Sequence, residues 1–382
     1  ASGLASIPRS LIEAALLDGA SPWQVVARIM LPLLKPFILT ASLLAFVAGV
    51  GNFGIPALLG LPVGYVTLPT LIYRKLASFG PGTIGDAAAV SMLIALIAGA
   101  GVIAASLLLA RAQSRLESEH RIAPFWTLGR WRLPLEILVW GFVALTILLP
   151  LASLVATSLV PAYGVRLSLQ SVTFAQYAEV LFRQDLTVRA FRNAMMLAGA
   201  TAISLAVMTL VSAYVLDRAK PKMRAAAFTL IELPYAVPGI VLAIACILLF
   251  IRPLPLIGVS IYATPWIILF AYHARFFAIA LKPVLAAMAM LDQSVEEAAV
   301  CDGVRLGQRL RYIVLPLVFP AVFAGMLMVF LLAFNELTVS ALLWSAGTET
   351  LGVAMLSLED SGLAAEAAAV AVAATTLVCL LM

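Results

Sequence analysis

An all-α, polytopic membrane protein is the fold class this sequence predicts, and three observations predict it. Of 382 residues, 63% are hydrophobic and 11% charged, whereas soluble domains are about half apolar and about a quarter charged. The apolar residues gather into about eight runs near the ~20 residues that a helix needs to cross hydrocarbon. A loop of about 30 residues is written twice, and each copy leads into one of those runs, as a duplicated structural unit would.

The duplicated loop reads Glu13-Ala14-Ala15-Leu16-Leu17-Asp18-Gly19-Ala20 followed by Ile29-Met30-Leu31-Pro32-Leu33-Leu34-Lys35-Pro36. Its second copy reads Glu297-Ala298-Ala299-Val300-Cys301-Asp302-Gly303-Val304, then Ile313-Val314-Leu315-Pro316-Leu317-Val318-Phe319-Pro320. Every shared position is displaced by 284, from Glu13 and Glu297 to Pro36 and Pro320. Ser10-x-x-Glu13 and Ser294-x-x-Glu297 fit a capping box that opens a short helix. Gly19 and Gly303 suit the left-handed residue that closes it. Ser21-Pro22 restarts a helix in the first copy, with Ser as N-cap and Pro in the first turn. The second copy has Arg305-Leu306 there, so that signal is not duplicated. Leu31-Pro32 and Leu315-Pro316 are expected to break the second helix before the long apolar run.

The first run, 37–60, carries Asn52 and three small residues, Gly49, Gly51 and Gly54. Residues 61–85 hold several prolines and glycines and read as an external loop with a short helix around Thr70–Leu76. The second run, 86–110, is rich in Ala and Gly, which lets helices approach closely in lipid. A linker with five arginines, 111–133, precedes the third run, 134–157. A polar loop leads to the fourth, 193–216, and the basic turn 217–224 to the fifth, 225–251. Pro234-Tyr235-Ala236-Val237-Pro238-Gly239 predicts a kink in the fifth. The sixth run is 261–281; the second loop lies within 282–316; the seventh run is 317–343; an external loop, 344–363, precedes the eighth, 363–382.

Placing both duplicated loops inside puts sixteen of the 24 Lys and Arg residues in cytoplasmic segments and seven outside, with Arg275 in a span. That is the bias of the positive-inside rule. The net charge of +5 therefore calls for no nucleic-acid partner. Cys246, Cys301 and Cys379 form no CxxC pair, and His120 and His273 are too few and too distant for a metal site. No phosphate-binding GxxxxGK[ST] occurs, so the chain does not hydrolyse ATP by the usual route, and no HExxH suggests an intramembrane enzyme.

The repeat extends beyond the loops. Ala57-Leu58-Leu59 matches Ala341-Leu342-Leu343 at 284, and Asp86-Ala87-Ala88-Ala89-Val90 answers Glu366-Ala367-Ala368-Ala369-Val370 at 280. The expected organisation is the later part of a first half at 1–110, a cytoplasmic linker at 111–133, and a second half with six spans at 134–382, its loop at 288–320. Four spans precede the second block and none the first. The expectation is a piece of a longer fused protein, lacking the first half's leading helices and stopping inside its last.

This pattern resembles the EAA loop of ABC-importer permeases, and the resemblance covers most of the chain. It implies a type I ABC importer permease fold and a transport role without catalytic residues or cofactors. It also implies a multi-pass location in the bacterial inner membrane. The implied partners are an ATPase dimer on the cytoplasmic side and a periplasmic or lipoprotein substrate-binding protein outside. Glu13, Ala14, Ala15, Asp18, Gly19 and Glu297, Ala298, Ala299, Asp302, Gly303 would then couple the spans to the ATPase. The fused layout resembles ferric-iron importers. So do Asn52-Phe53-Gly54-Ile55-Pro56-Ala57-Leu58-Leu59-Gly60, Val66-Thr67-Leu68-Pro69-Thr70-Leu71-Ile72-Tyr73 and Asn335-Glu336-Leu337-Thr338-Val339-Ser340-Ala341-Leu342-Leu343. Thiamine and aminoethylphosphonate permeases share the layout. An ATP-independent secondary transporter is the alternative of a different class, but its repeats are often inverted, whereas these share one orientation. Intramembrane charges are costly and mark either a pathway or an ion pair. Glu232, Arg275, Asn335 and Glu336 are the candidates here, with His273 and Asn52 as further polar groups, and Glu232 with Arg275 is the expected pair.

Overall fold

The computed structural model describes residues 7–78, 82–113, 129–162, 164–254 and 258–382. All regular structure among them is helical. Among the described residues seven helices are long and apolar enough to cross a membrane, and two further helix pairs qualify only as broken spans bent by 77° and 101°. About eight spans were expected, and seven to nine, depending on whether each bent pair is one span, agree with that.

The chain forms two compact units, Ala1–Gly51 with Leu93–Ser153 and Asn52–Met92 with Leu154–Met382. Residues 52–92 group with the later part of the chain.

In the first unit, α1 (Arg9–Leu17) and α2 (Pro22–Val25) flow through a π turn, Val26–Met30, into α3 (Leu31–Val50). The expected break at Leu31-Pro32 does not occur, and Pro22–Val50 runs on as one 29-residue span. Proline cannot donate to the turn behind it, and its ring crowds the carbonyl four residues back. The widened π turn just before Pro32 relieves that conflict while the helix continues. From Leu93 onward helix α5 (Thr83–Gln113) belongs to this unit and supplies its second span. Its Gly101 lies so close to α3 that a Cβ would stand 2.5 Å from Val47 Cγ2. The small residues of this span therefore do admit a close neighbour. The Thr40 hydroxyl donates to Pro36 O at 2.8 Å and lies 3.4 Å from Ala105 O. Helix α6 (Arg132–Ser158) is the third span, between α5 and the second unit's helices in the chain.

The second unit opens with a π turn at Pro56–Gly60, a 3₁₀ turn at Leu61–Val63, and α4 (Leu68–Ala77), a short helix where one was expected around Thr70–Leu76. Further on, α7 (Ala175–Ala178) precedes α8 (Asp185–Asp217), α9 (Pro221–Ala236) and α10 (Gly239–Phe250). The expected kink is a full break: α9 and α10 diverge by 101°. Proline at 238 forces Val237 into extended backbone, ψ 135°, where a helix cannot continue.

Helix α11 (Pro265–Met288) and α14 (Leu315–Phe334) pack with α8 as the unit's core. Tyr214, Leu281, Val284, Met288, Val318 and Val322 fill the space between them. Gly325 lets α14 approach so closely that a Cβ would meet Ala280 O at 2.9 Å. Between these helices run α12 (Gln293–Cys301), α13 (Leu306–Arg309) and a second π turn, Leu310–Val314. The chain ends with α15 (Ser340–Leu343), α16 (Leu351–Asp360) and α17 (Ala364–Leu381). Like α4, α16 has ten residues and follows a threonine in extended backbone, Thr67 at φ −100° and Thr350 at φ −101°.

Candidate functional site

The duplication holds at atomic detail. Adding 284 to the bounds of α1, α2, the first π turn and α3 gives those of α12, α13, the second π turn and α14. In each copy the first helix ends in the same way. The Asp18 N–H donates to Ala14 O at 2.9 Å, and the Asp302 N–H to Ala298 O at 3.1 Å. Gly19 at φ +80° and Gly303 at φ +71° then take the left-handed conformation. The next N–H reaches back at 3.0 Å in both copies, Ala20 to Ala15 O and Val304 to Ala299 O. This is the six-to-one closure of a helix end by glycine.

The N-caps differ from expectation. Helix α1 begins after Pro8, and α12 after Asp292, whose carboxylate accepts from the Ser294 N–H at 3.0 Å. Ser10 and Ser294 sit inside their helices and cap neither. Those hydrogen bonds from Ser294 hold the Asp292 carboxyl below its ordinary value. The restart of the second helix follows the sequence more closely. The Ser21 hydroxyl accepts from the Gln24 N–H at 3.3 Å, and Gln24 Oε1 accepts from the Ser21 N–H at 2.8 Å. In the second copy Gln308 Oε1 accepts from the Arg305 N–H at 3.1 Å. Half of that cap is duplicated after all, through Gln24 and Gln308.

Glu13, Ala14, Asp18 and Gly19 are exposed, as are Glu297, Ala298, Asp302 and Gly303, while Ala299 is buried and Ala15 half-buried. One face of each short helix therefore packs inward and the other is open. Beside the second copy, Glu297, Val300 and Cys301 border a cavity of about 430 Å³ with Asp217, Arg218, Glu296 and Arg309.

The two copies are held in place by different chemistry. In the first, Ile7, Ile12 and Val25 form a small apolar core. At the positions matching Ile12 and Val25 the second copy has Glu296 and Arg309, which form an ion pair at 3.4 Å. Glu296 also accepts from the Tyr214 hydroxyl and pairs with Arg218. The Arg218 guanidinium lies 3.5 Å above the centroid of the Tyr214 ring. None of these four residues was singled out from the sequence. The exchange of an apolar pair for an acid–base pair at one displacement was the signal that could have found them.

Among the intramembrane charges, Glu232 and Arg275 do not pair with each other. Glu232 on α9 meets Lys282 on α11 at 2.6 Å, with Lys282 Nζ 6.0 Å from the rings of Phe228 and Tyr235. Arg275 meets Glu336 at 3.5 Å. Lys282, the residue directly after the apolar run 261–281, was the missed partner. Glu336 also accepts from the Val339 N–H at 3.0 Å, and a Cβ at Gly239 would stand 2.7 Å from Arg275 Nη1. The pair is thus wedged against the start of α10. Asn335 Nδ2 donates to Leu331 O at 2.9 Å, and Asn52 Oδ1 accepts from the Ile55 N–H at 3.2 Å, so both cap helix ends. Ser204 lies 2.6 Å from His273 Nε2, and His273 Nδ1 is 2.7 Å from Leu269 O. Both ring nitrogens are occupied.

A probable ABC transporter permease protein (y4fN) of Sinorhizobium fredii is 28% identical over 91% of this chain and 61% of its own length. A putative ferric transport system permease protein of Haemophilus influenzae is 26% identical over 91% of this chain and 54% of its own. A putative 2-aminoethylphosphonate transport system permease protein of Salmonella typhimurium is 29% identical over 39% of this chain and 55% of its own. The chain thus spans little more than half the length of these curated relatives. In fold it is similar to a chain of a bacterial alginate ABC transporter crystallised with an alginate pentasaccharide-bound periplasmic protein. That likeness has a TM-score of 0.52 and 18% identity, over 66% of this chain and 92% of that one. The family described as binding-protein-dependent transport system inner membrane component matches residues 1–119 and 213–382, about three-quarters of the sequence, and this multi-pass membrane chain belongs to that family.

Proposed function

We propose that this chain is part of the membrane pathway of an ATP-driven importer. Its two duplicated loops are the contacts through which an ATP-hydrolysing dimer moves the spans. The observation that carries the reading is the repeated helix, left-handed glycine and second helix, alike in backbone and open on one face. An exposed loop that carries an apolar span on its end can pass a push to that span without chemistry of its own. Glu13, Asp18, Gly19 and Glu297, Asp302, Gly303 transmit force in this scheme. A binding protein delivers solute from outside, and the broken spans at 237–238 and around residue 64 supply the non-helical backbone that a membrane tolerates only where it faces protein or a water-filled path.

Ferric iron is the solute we favour, because the ferric relative aligns over 91% of this chain. The phosphonate relative aligns over 39%. Among the described residues no three His, Cys, Asp or Glu side chains gather to hold a metal, so iron would pass as cargo rather than reside. The test is uptake of radioactive iron by cells expressing the transporter, with 2-aminoethylphosphonate and thiamine as competitors. Iron uptake that requires ATP and ignores both competitors is the expected result; uptake blocked by the phosphonate would reassign the solute, and uptake independent of ATP would overturn the importer reading.

A further inference from the structure

We propose that Glu296 is a positioning residue that fastens the second loop to α8 and so makes α8 a strut between that loop and the external loop at 347–349. The inference rests on the importer reading for its functional consequence but not for its geometry.

The argument begins with the duplication. Backbone bounds agree residue for residue between the copies, so side-chain differences at matched positions are differences of purpose rather than of fold. Ile12 is fully buried against Val25 in the first copy. An apolar contact of that kind holds a loop to itself and grips nothing charged. The second copy places Glu296 and Arg309 at those positions. A carboxylate there has capacity for several donors, and the structure fills it from two elements: Arg309 of the loop, and Tyr214 with Arg218 of α8. Arg218 also donates to Tyr214 O at 3.1 Å, which fixes it to the last turn of α8. Removing one partner from such a partly buried set leaves charge uncompensated, so the fastening acts as a unit.

The far end of α8 is fastened as well. Arg189 meets Glu349 at 3.5 Å, and Asn193 Nδ2 donates to Gly347 O at 2.9 Å and Glu349 O at 3.0 Å. A 33-residue helix is about 50 Å long. Joined by charge at one end to the loop and at the other to the external segment, α8 carries displacement of one to the other.

The test uses the full transporter purified with the ATPase subunit expressed beside it, in a Cys246→Ser, Cys379→Ser background. Spin labels on Cys301 and on Ala219→Cys report the separation of the loop from the end of α8. The decisive variant is Glu296→Ile with Arg309→Val, which gives the second copy the first copy's apolar pair. Expected for the parent is a narrow distance distribution, unchanged by ATP. The double variant is expected to fold and insert, yet to show a broadened distribution and a several-fold loss of transport-stimulated ATP hydrolysis. A parent distance that shifts on adding ATP, or a double variant as narrow as the parent, would overturn the proposal. Should the double variant not fold, Glu296→Gln decides on the same two readings, since it keeps the shape and removes the charge. A parent complex that hydrolyses no ATP would count against the importer reading alone, because the nucleotide-free distribution still reports the fastening.

Discussion

Gly19 and Gly303, 284 positions apart, hold the same left-handed backbone, and among the described residues, their chain neighbours aside, neither has an atom within 4 Å of where a Cβ would stand. Substitution at either site therefore meets strain from φ but no collision inside this chain. An added methyl costs about 1 kcal/mol in that conformation, while a large side chain projects outward to where a partner would dock. Gly303→Ala should lower loop stability slightly and leave uptake measurable. Gly303→Trp should insert normally yet abolish the link between ATP hydrolysis and uptake, read as solute imported per ATP. Wild-type coupling in Gly303→Trp would mean that nothing docks there.

The Arg275–Glu336 pair is mostly buried, so removing one partner should cost more than removing both. Losing one member of a buried pair costs roughly 3–5 kcal/mol, whereas an apolar replacement of the whole pair is often neutral. Glu336→Gln should depress thermal stability strongly, and Arg275→Met with Glu336→Leu should recover most of it. Additive losses in that double-mutant cycle would show that the two side chains do not interact.

Two glycines define close approaches whose loss is readable. A Cβ at Gly101 would press on Val47 Cγ2, the movable end of a side chain, so Gly101→Ala should be destabilising and Val47→Ala should rescue it. A Cβ at Gly239 would meet Arg275 Nη1 at 2.7 Å, Arg275 Cζ at 3.1 Å and Thr338 Cγ2 at 3.2 Å. Gly239→Ala should accordingly lower the melting temperature unless Arg275 is shortened as well. Equal melting temperatures for Gly239→Ala in the parent and in an Arg275→Ala background would contradict this.

The Asp292 cap gives a pH dependence with a definite sign. The Ser294 N–H stabilises the charged carboxylate and so lowers its pKa from the ordinary 3.8. The contribution to α12 is complete above the unfolded value and is lost as pH falls through the lowered folded one. Hydrogen exchange at the Ser294 amide, corrected for its intrinsic rate, should thus rise in acid below about 3.8 and stay flat in Asp292→Asn. A flat profile in the parent would remove Asp292 as the cap.

Much of this was legible in the sequence because a fixed displacement of 284 is independent of propensity. Once Gly19 and Gly303 were matched, the helix, turn and helix followed, and the short helix Leu68–Ala77 announced itself through Pro69. The capping boxes misled because Ser10 and Ser294 lie in the first turn of their helices, which begin after Pro8 and Asp292. Leu31-Pro32 misled because a π turn can carry a helix past a proline. The ion pairs were the least legible feature. Which of Lys282, Arg275 and Arg218 meets which acid depends on helix rotation, and the moderate amphipathicity of long apolar helices leaves rotation undetermined. Glu296 stood beside the conspicuous Glu297 and was passed over. Only the comparison with Ile12 marks it.

The most direct test of the account is cross-linking from the two loops. With Asp18→Cys and Asp302→Cys made singly in a cysteine-free background, a bifunctional reagent is applied from the cytoplasmic side to the purified transporter. The account predicts that both positions join the ATPase subunit, with yields that change between the nucleotide-free and ATP-bound states. If neither position reaches an ATPase, or if the two residues prove accessible from opposite sides of the membrane, the two loops are not a matched pair of couplings and the account is wrong.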